Sequence, residues 1–222
     1  MEFKKTKREY YNEHTKSLDL SIINAGKYNI TSYLFHKRLI DIFLAVIGLF
    51  ITFPAILLFA ILIKVETRGP SFFFQERVGF KGENFNVIKL RSMRVDAEIK
   101  GAQWAVKDDP RVTRVGAFIR KTRIDELPQL VNVLKGEMSI VGPRPERPLF
   151  TEKFNNEFPG FSERLNVTPG LTGWAQVNGG YDITPKEKLD LDLYYINNRC
   201  ITLDIKVIIK TFKVVLTGDG AR

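Results

Sequence analysis

From Ile42 to Ile63 the chain reads IFLAVIGLFITFPAILLFAILI, with no charged residue and with Pro54 near its middle. As one straight helix at 1.5 Å per residue this run is about 33 Å long, close to the ~30 Å hydrocarbon thickness of a bilayer. Pro54 deletes a backbone donor and its ring crowds the carbonyl of Phe50, which kinks or breaks a helix. The halves, roughly 18 and 15 Å, are each too short to cross. Two membrane forms follow: a kinked single pass, or a re-entrant helix-break-helix that returns to the side it entered. A buried helix of a soluble protein is the third alternative. Lys37 and Arg38 precede the run and Lys64 and Arg68 follow it, so the charges give no direction for crossing, which favours the re-entrant form. Thr52 is placed to help satisfy carbonyls freed at the Pro54 break.

The organisation expected around that segment is a polar tail over 1–34, the membrane helix-break-helix over 35–67 and a cytosolic domain over 68–222, in which any catalytic residues are to be sought. The 222 residues hold 34 Lys and Arg against 25 Asp and Glu, a net charge of +9. Such a surplus asks for an anionic partner: nucleic acid, an anionic membrane surface or a phosphorylated substrate. Cys200 is the only cysteine, which excludes an intrachain disulfide, and with two histidines a Cys/His zinc site is not expected. A reducing, cytosolic setting fits the soluble part.

Chemistry concentrates in Arg120-Lys-Thr-Arg-Ile-Asp-Glu-Leu-Pro-Gln-Leu130, where Asp125 and Glu126 sit among Arg120, Lys121 and Arg123. Thr122 or Asp125 can cap a helix that has Pro128 in its first turn. A carboxylate at a helix N-terminus among arginines stays ionised, and an ionised carboxylate can attack phosphorus once a metal or arginines quench the repulsion. Asp125 and Glu126 are then candidate ligands for Mg²⁺, which takes one or two carboxylates plus phosphate oxygens. Plain helix capping explains the same residues without chemistry.

Around this pair, the runs SFFFQERVGF and FNVIKLRSM, joined by a Gly-containing loop, predict a β-hairpin. It carries Arg77, Lys89 and Arg91 as phosphate-binding candidates, or as solvated strand residues. Val112 to Lys121 reads as a helix, as do the residues from Leu130 to Gly136. Arg144 is held between Pro143 and Pro145, a restricted backbone suited to a phosphate clamp or to a surface turn. Thr168 to Trp174 is too rich in turn formers for regular structure, and Asn178-Gly179-Gly180 adds a tight bend. Asp190 and Asp192 match a loose D-x-D metal pattern, but within a helical run of core leucines, which points to structure. Ile201 to Leu216 interleaves Lys206, Lys210 and Lys213 with apolar residues, as an amphipathic helix does on anionic lipid or when packed at the end of a domain. The fold class expected is α+β, mostly helical with a small β-hairpin, membrane-associated through the re-entrant hairpin and amphipathic surface helices.

Taken in order, KRLIDIFLA, FFFQERVG, FNVIKLRSM, DDPRVTRVG, IRKTRIDELPQL, SIVGPRPE, TPGLTGWAQVNG, DLYYINN and LDIKVIIKT closely resemble the bacterial sugar transferases known as monotopic phosphoglycosyl transferases. The resemblance runs from about residue 35 to the C-terminus. It implies transfer of a phospho-sugar from a UDP-sugar to a polyprenyl phosphate such as undecaprenyl phosphate, with release of UMP, at the cytosolic face of the bacterial inner membrane, to begin surface glycoconjugate assembly. It further implies a Mg²⁺-dependent Asp-Glu dyad at Asp125 and Glu126, with a covalent phospho-sugar on the aspartate. Arg120, Lys89 and Arg144 fall on the family's basic positions, and Pro54 on its membrane break. Some relatives have Ser before that proline where Phe53 stands here, which throws the break's hydrogen bonding onto Thr52. Membrane lipid is an expected partner, nucleic acid is not, and self-association stays open. Two other functions compete: a membrane-anchored basic adaptor, and a single-pass D-x-D glycosyltransferase releasing UDP.

Overall fold

The computed structural model describes residues 30–99, 101, 109–179 and 183–217. The polar tail up to residue 29, Asp108 of the expected turn and Gly180 of the expected bend lie outside the described residues. The molecule is mostly helical, with two small sheets and one long apolar helix.

That helix, α1 (Ile30–Glu66), runs without interruption through Pro54. The sequence predicts a kink or break there; the gap between two helices is absent. A helical proline forfeits one hydrogen bond and crowds one carbonyl, a local cost that packing elsewhere along the helix can offset. Thr52 Oγ1 donates to the carbonyl of Gly48 at 2.7 Å, not to that of Phe50, so it does not serve the acceptor that Pro54 frees. Tyr33, Asp41, Ala45, Ile56 and Ile63 are buried against the rest of the protein. Phe43, Phe50, Ile51, Phe53, Leu57, Leu58 and Ile61 are exposed, with Phe50 at 83%. An apolar surface of this extent on a helix this long is compatible with membrane association.

Strands β1 (Phe72–Val78) and β2 (Asn84–Leu90) form the expected antiparallel hairpin, with Lys89 opposite Phe73. The turn puts Lys81 at φ 55° and Gly82 at φ 84°, left-handed backbone that glycine adopts freely and lysine at some cost. Helix α2 (Arg114–Lys121) starts after Val112 because Val112 is spent in a β-bridge to Met93, and Thr113 caps the helix by accepting from Gly116 N. Helix α3 (Leu130–Lys135) ends at Gly136, whose φ of 87° gives the left-handed close.

The expectation of no regular structure between Thr168 and Trp174 fails. Strand β3 (Ser139–Val141) pairs in parallel with β4 (Gly170–Thr172). A Cβ on Gly170 would lie 2.1 Å from Gly142 N, and one on Gly173 2.2 Å from Gly142 O. These glycines permit close backbone approach, which leaves regular structure intact. Asn178 and Gly179 close helix α5 (Trp174–Gly179), which follows α4 (Pro148–Glu157). Helices α6 (Pro185–Asn198) and α7 (Ile201–Thr217) complete the chain; Thr184 and Glu187 form a capping box on α6.

The core divides into patches that meet α1 repeatedly. Ala45 packs with Val87, Leu130, Val133 and Met138. Ile56 and Ile63 pack with Leu90 and Ile119, and Ile124 and Leu127 lean on that patch. Val141, Trp174, Tyr195, Leu203 and Val207 form a third patch beneath α7. Helix α7 keeps a second apolar side, Ile205, Ile209 and Phe212, exposed. Lys206 and Lys210 lie over the Trp174 ring, at 5.8 and 5.0 Å from its centroid.

Candidate active site

Asp125 and Glu126 lie in a 3-10 stretch, Ile124–Gln129, that leads directly into α3. Neither Thr122 nor Asp125 opens a helix as expected. Thr122 instead closes α2, its hydroxyl donating to the carbonyls of Phe118 and Ile119, because Arg123 turns left-handed at φ 56° and ends the run. In a 3-10 helix residues three apart share a face. Ile124 and Leu127 therefore point together to the α1 patch, Asp125 shares a face with Pro128, and Glu126 with Gln129.

The two carboxylates have unlike surroundings. Glu126 accepts from Lys89 Nζ at 3.3 Å, and the Arg144 fork reaches both its oxygens, one at 3.3 Å. Burial alone would favour the neutral acid, but Arg144 and Lys89 outweigh it and hold Glu126 far below the usual carboxylate range. Asp125 is buried too, and among the described residues no side chain hydrogen-bonds or ion-pairs with its carboxylate. Burial, reinforced by the Glu126 charge, pushes it up to about 6, against the pull of Lys89, Arg120 and Arg144. At neutral pH this leaves a mostly ionised carboxylate that no side chain among the described residues holds. Burial lowers the Lys89 ammonium below its ordinary value, and Glu126 opposes that shift.

Arg144 is fixed by its backbone. Prolines on either side offer no N–H to a ladder, yet four successive carbonyls from Pro143 to Glu146 are each held. Gly170 N donates to Pro143 O at 2.9 Å, Arg164 to Arg144 O at 2.8 Å, Arg77 to Pro145 O at 3.0 Å and Val78 N to Glu146 O at 2.9 Å. Arg164 is itself paired with Asp192 at 2.7 Å, both almost fully buried. Glu146 binds Lys188 and lies 3.7 Å from Arg77.

The sequence-based site residues thus divide. Lys89, Arg144, Asp125 and Glu126 come together, and the charge of Arg120 reaches Asp125. Arg77 braces the Arg144 loop, and burial, with the nearby Arg144 charge, lowers its guanidinium to about 10. Arg91 is buried, donating to the carbonyls of Thr67 and Arg68 at 3.0 and 2.9 Å, so it ties the end of α1 to the hairpin. Asp192 has the structural place expected for it, while Asp190 is exposed. Pro54 and Thr52 lie within α1. Sequence reasoning missed Arg164, Glu146 and Lys188, and also Asn132, which accepts from Ile88 N at 3.1 Å and donates to Asn86 O at 2.7 Å, docking α3 on β2. Only the position of Glu146 next to the Pro-Arg-Pro triplet pointed to any of them.

Among the described residues no group of three acidic, His or Cys side chains forms a metal cage. Two adjacent carboxylates, one of them without a side-chain partner among the described residues, are chemically suited to a cation such as Mg²⁺.

A family model described as bacterial sugar transferase matches residues 32–218. A Bacillus subtilis (strain 168) protein, provisionally named an undecaprenyl-phosphate N-acetylgalactosaminyl 1-phosphate transferase, is 65% identical over 133 residues, covering 60% of this chain and 74% of that protein. The UDP-N-acetylgalactosamine-undecaprenyl-phosphate N-acetylgalactosaminephosphotransferase of Aeromonas hydrophila is 48% identical over 193 residues, 86% of this chain and 46% of its own. The UDP-glucose:undecaprenyl-phosphate glucose-1-phosphate transferase of Escherichia coli (strain K12) is 41% identical over 180 residues, 79% of this chain and 39% of its own. The chain spans less than half the length of these last two relatives.

Proposed function

Because the chain belongs to the bacterial sugar transferase family, we propose that it moves a phospho-sugar from a UDP-sugar to undecaprenyl phosphate through a covalent intermediate on Asp125, releasing UMP. The observation that carries this reading is the unequal pair: Glu126 is held by Lys89 and Arg144, while the neighbouring Asp125 is ionisable near neutrality and, among the described residues, has no side-chain hydrogen bond or ion pair.

In the first step a carboxylate oxygen of Asp125 attacks the β-phosphorus. The bond from that phosphorus to the bridging oxygen breaks, and UMP leaves with the electron pair. In the second step a phosphate oxygen of undecaprenyl phosphate attacks the same phosphorus, giving undecaprenyl diphosphate sugar and restoring the carboxylate. Arg120 and Arg144 hold phosphate oxygens as charge develops, and Lys89 holds Glu126 in place. Asp125 and Glu126 would hold Mg²⁺, which when bound neutralises diphosphate charge.

The acceptor is a lipid, so the site belongs at the bilayer surface. We assign α1 a re-entrant path bent at Pro54. Tyr33, Lys37, Arg38 and Asp41 near its start and Ile63, Glu66 and Thr67 around its end all contact the same domain. A straight helix of this length would extend about 55 Å. A compact domain of ~150 residues is only about 40 Å across. A transbilayer helix would strand one of those contact sets on the far side. This supports both ends of α1 lying on one side of the bilayer, with the exposed apolar faces of α1 and α7 in lipid; a UDP-sugar donor would make that side the cytosolic face of the inner membrane.

The names of the relatives at 65% and 48% identity carry N-acetylgalactosamine, which puts UDP-N-acetylgalactosamine first in a panel of UDP-sugars tested on the reconstituted protein with undecaprenyl phosphate. UMP is the expected nucleotide product. UDP would instead support sugar transfer without phosphate, and no turnover would support an adaptor. Cysteine labels at the two ends of α1 should react from one side of sealed vesicles; reaction from opposite sides would overturn the re-entrant path.

A further inference from the structure

The ends of a helix leave backbone groups without partners inside it. At the start of α2, Thr113 takes Gly116 N, and the two donors before it go to another element. Glu66, the last residue of α1, accepts from Arg114 N at 2.8 Å and from Val115 N at 3.2 Å. At the end of α3 the guanidinium of Arg38, in the first half of α1, donates to Val133 O at 2.6 Å and Leu134 O at 2.8 Å. An anion at the N-terminus and a cation at the C-terminus both agree in sign with the helix dipole.

These two helices flank the acidic pair. Helix α2 delivers Arg120, and α3 begins at Leu130, directly after the 3-10 stretch. Helix α1 therefore grips the far end of each, one from either side of Pro54. Between the two grips it touches the turn itself, since Ile124 and Leu127 rest on the Ile56 patch, and a Cβ on Gly48 would come within 3.0 Å of Leu130 Cδ1. Four points along one membrane helix thus bound the segment from Arg114 to Lys135.

We infer that α1 is a strut of the active site as well as an anchor, and that Arg38 and Glu66 are positioning residues for Asp125 and Glu126. Neither side chain touches the pair; each acts through the helix it caps. Seating α1 in the bilayer fixes the spacing of the two caps, so the angle and depth of the dyad turn are set by the membrane segment. The inference rests on the phosphoglycosyl transfer proposed above.

The test compares Arg38→Ala, Arg38→Lys, Glu66→Ala and Glu66→Gln with the wild-type chain in proteoliposomes. Active sites are counted by the radiolabelled phospho-sugar each protein retains when given donor alone, so misfolded molecules do not enter the rate. Per labelled site, the alanine variants should lose about tenfold in kcat with KM for the UDP-sugar within about twofold, a split expected when the reacting group is misplaced and donor binding is spared. Lys and Gln, which keep one donor or one acceptor for the same backbone groups, should recover most of the loss. Should an alanine variant yield no labelled sites, the Lys and Gln variants decide, with a twofold to fivefold kcat deficit expected. Wild-type kcat per labelled site in the variants that fold would overturn the strut while leaving the transferase reading in place. Failure of the wild-type chain to release UMP from any UDP-sugar would overturn the reaction reading, and this inference with it.

Discussion

Glu126 faces Lys89 and Arg144, whereas Ile124 and Leu127, on either side of the acidic pair, face the hydrocarbon of Ile56 and Ile63 on α1. One short turn is thus held by charge on one side and by packing on the other. The two regions act differently. The charged side decides which carboxylate is ionised and bound, because a cation within a few ångströms of a buried acid outweighs its desolvation. The apolar side decides where the turn sits, because close-packed side chains allow little displacement. Asp125 lies between them, desolvated by the second and only partly compensated by the first.

Asp125→Asn tests this intermediate position most severely. Phospho-sugar transfer should fall by at least about three orders of magnitude, as expected if the proposed nucleophile is removed, and labelled phospho-sugar should no longer be retained on the protein. The same change should raise thermal stability. A carboxyl whose folded pKa is raised to about 6 favours folding below its unfolded value near 3.9, and that contribution is lost as pH rises through about 6. The gain in Tm should therefore be present at pH 7.5 and absent at pH 3.5. A variant that kept the label, or melted lower at pH 7.5, would break the assignment of Asp125 to the desolvated side.

Arg144→Ala removes the main counter-charge on the other side. A loss on the order of 10²- to 10³-fold in kcat is expected, the range for deleting one charge-stabilising donor. Glu126 should then titrate at a higher pH than in the wild-type chain, which NMR of side-chain-labelled glutamate would detect. If only KM changed, Arg144 would be a binding residue for the ground state alone.

The acid side of the pH profile is a gentler probe. With Asp125 ionising at about 6 and Glu126 far lower, kcat/KM should follow a single ionisation and fall about tenfold from pH 7 to pH 5. Two ionisations in that range would mean that the cations do not separate the pair.

Much of this division was legible in the sequence because its signals are local. The uncharged run with Pro54, the alternating aromatic strands, and Asp125-Glu126 among arginines each lie within a few residues of one another. What stayed hidden depends on partners far along the chain. Arg164 and Asp192 are 28 residues apart and meet only when α6 folds back. That Arg77 braces the Arg144 loop was not legible, because a strand arginine carries no mark of the carbonyl it will hold. Gly170 and Gly173 read as turn formers because sequence shows the freedom of a glycine and not the backbone beside it. Thr122 read as a cap because no pattern announces a left-handed arginine at position 123.

The smallest effect is expected at Asp190. Sequence offers Asp190 and Asp192 as one D-x-D unit, and a metal site built on that unit would need both. The structure separates them: Asp192 is sealed against Arg164, whose other branch holds the Arg144 carbonyl, while Asp190 points to solvent from α6. Breaking a buried pair by removing one partner costs roughly 3–5 kcal/mol, whereas an exposed carboxylate is worth a fraction of one. Asp190→Asn should therefore leave kcat/KM within about twofold of the wild-type chain and Tm within a degree or two, measured at saturating Mg²⁺. A hundredfold loss would make Asp190 part of the chemistry and count against the Mg²⁺ site proposed at the Asp125 turn, because an exposed acid with no structural partner among the described residues has no other route to such an effect.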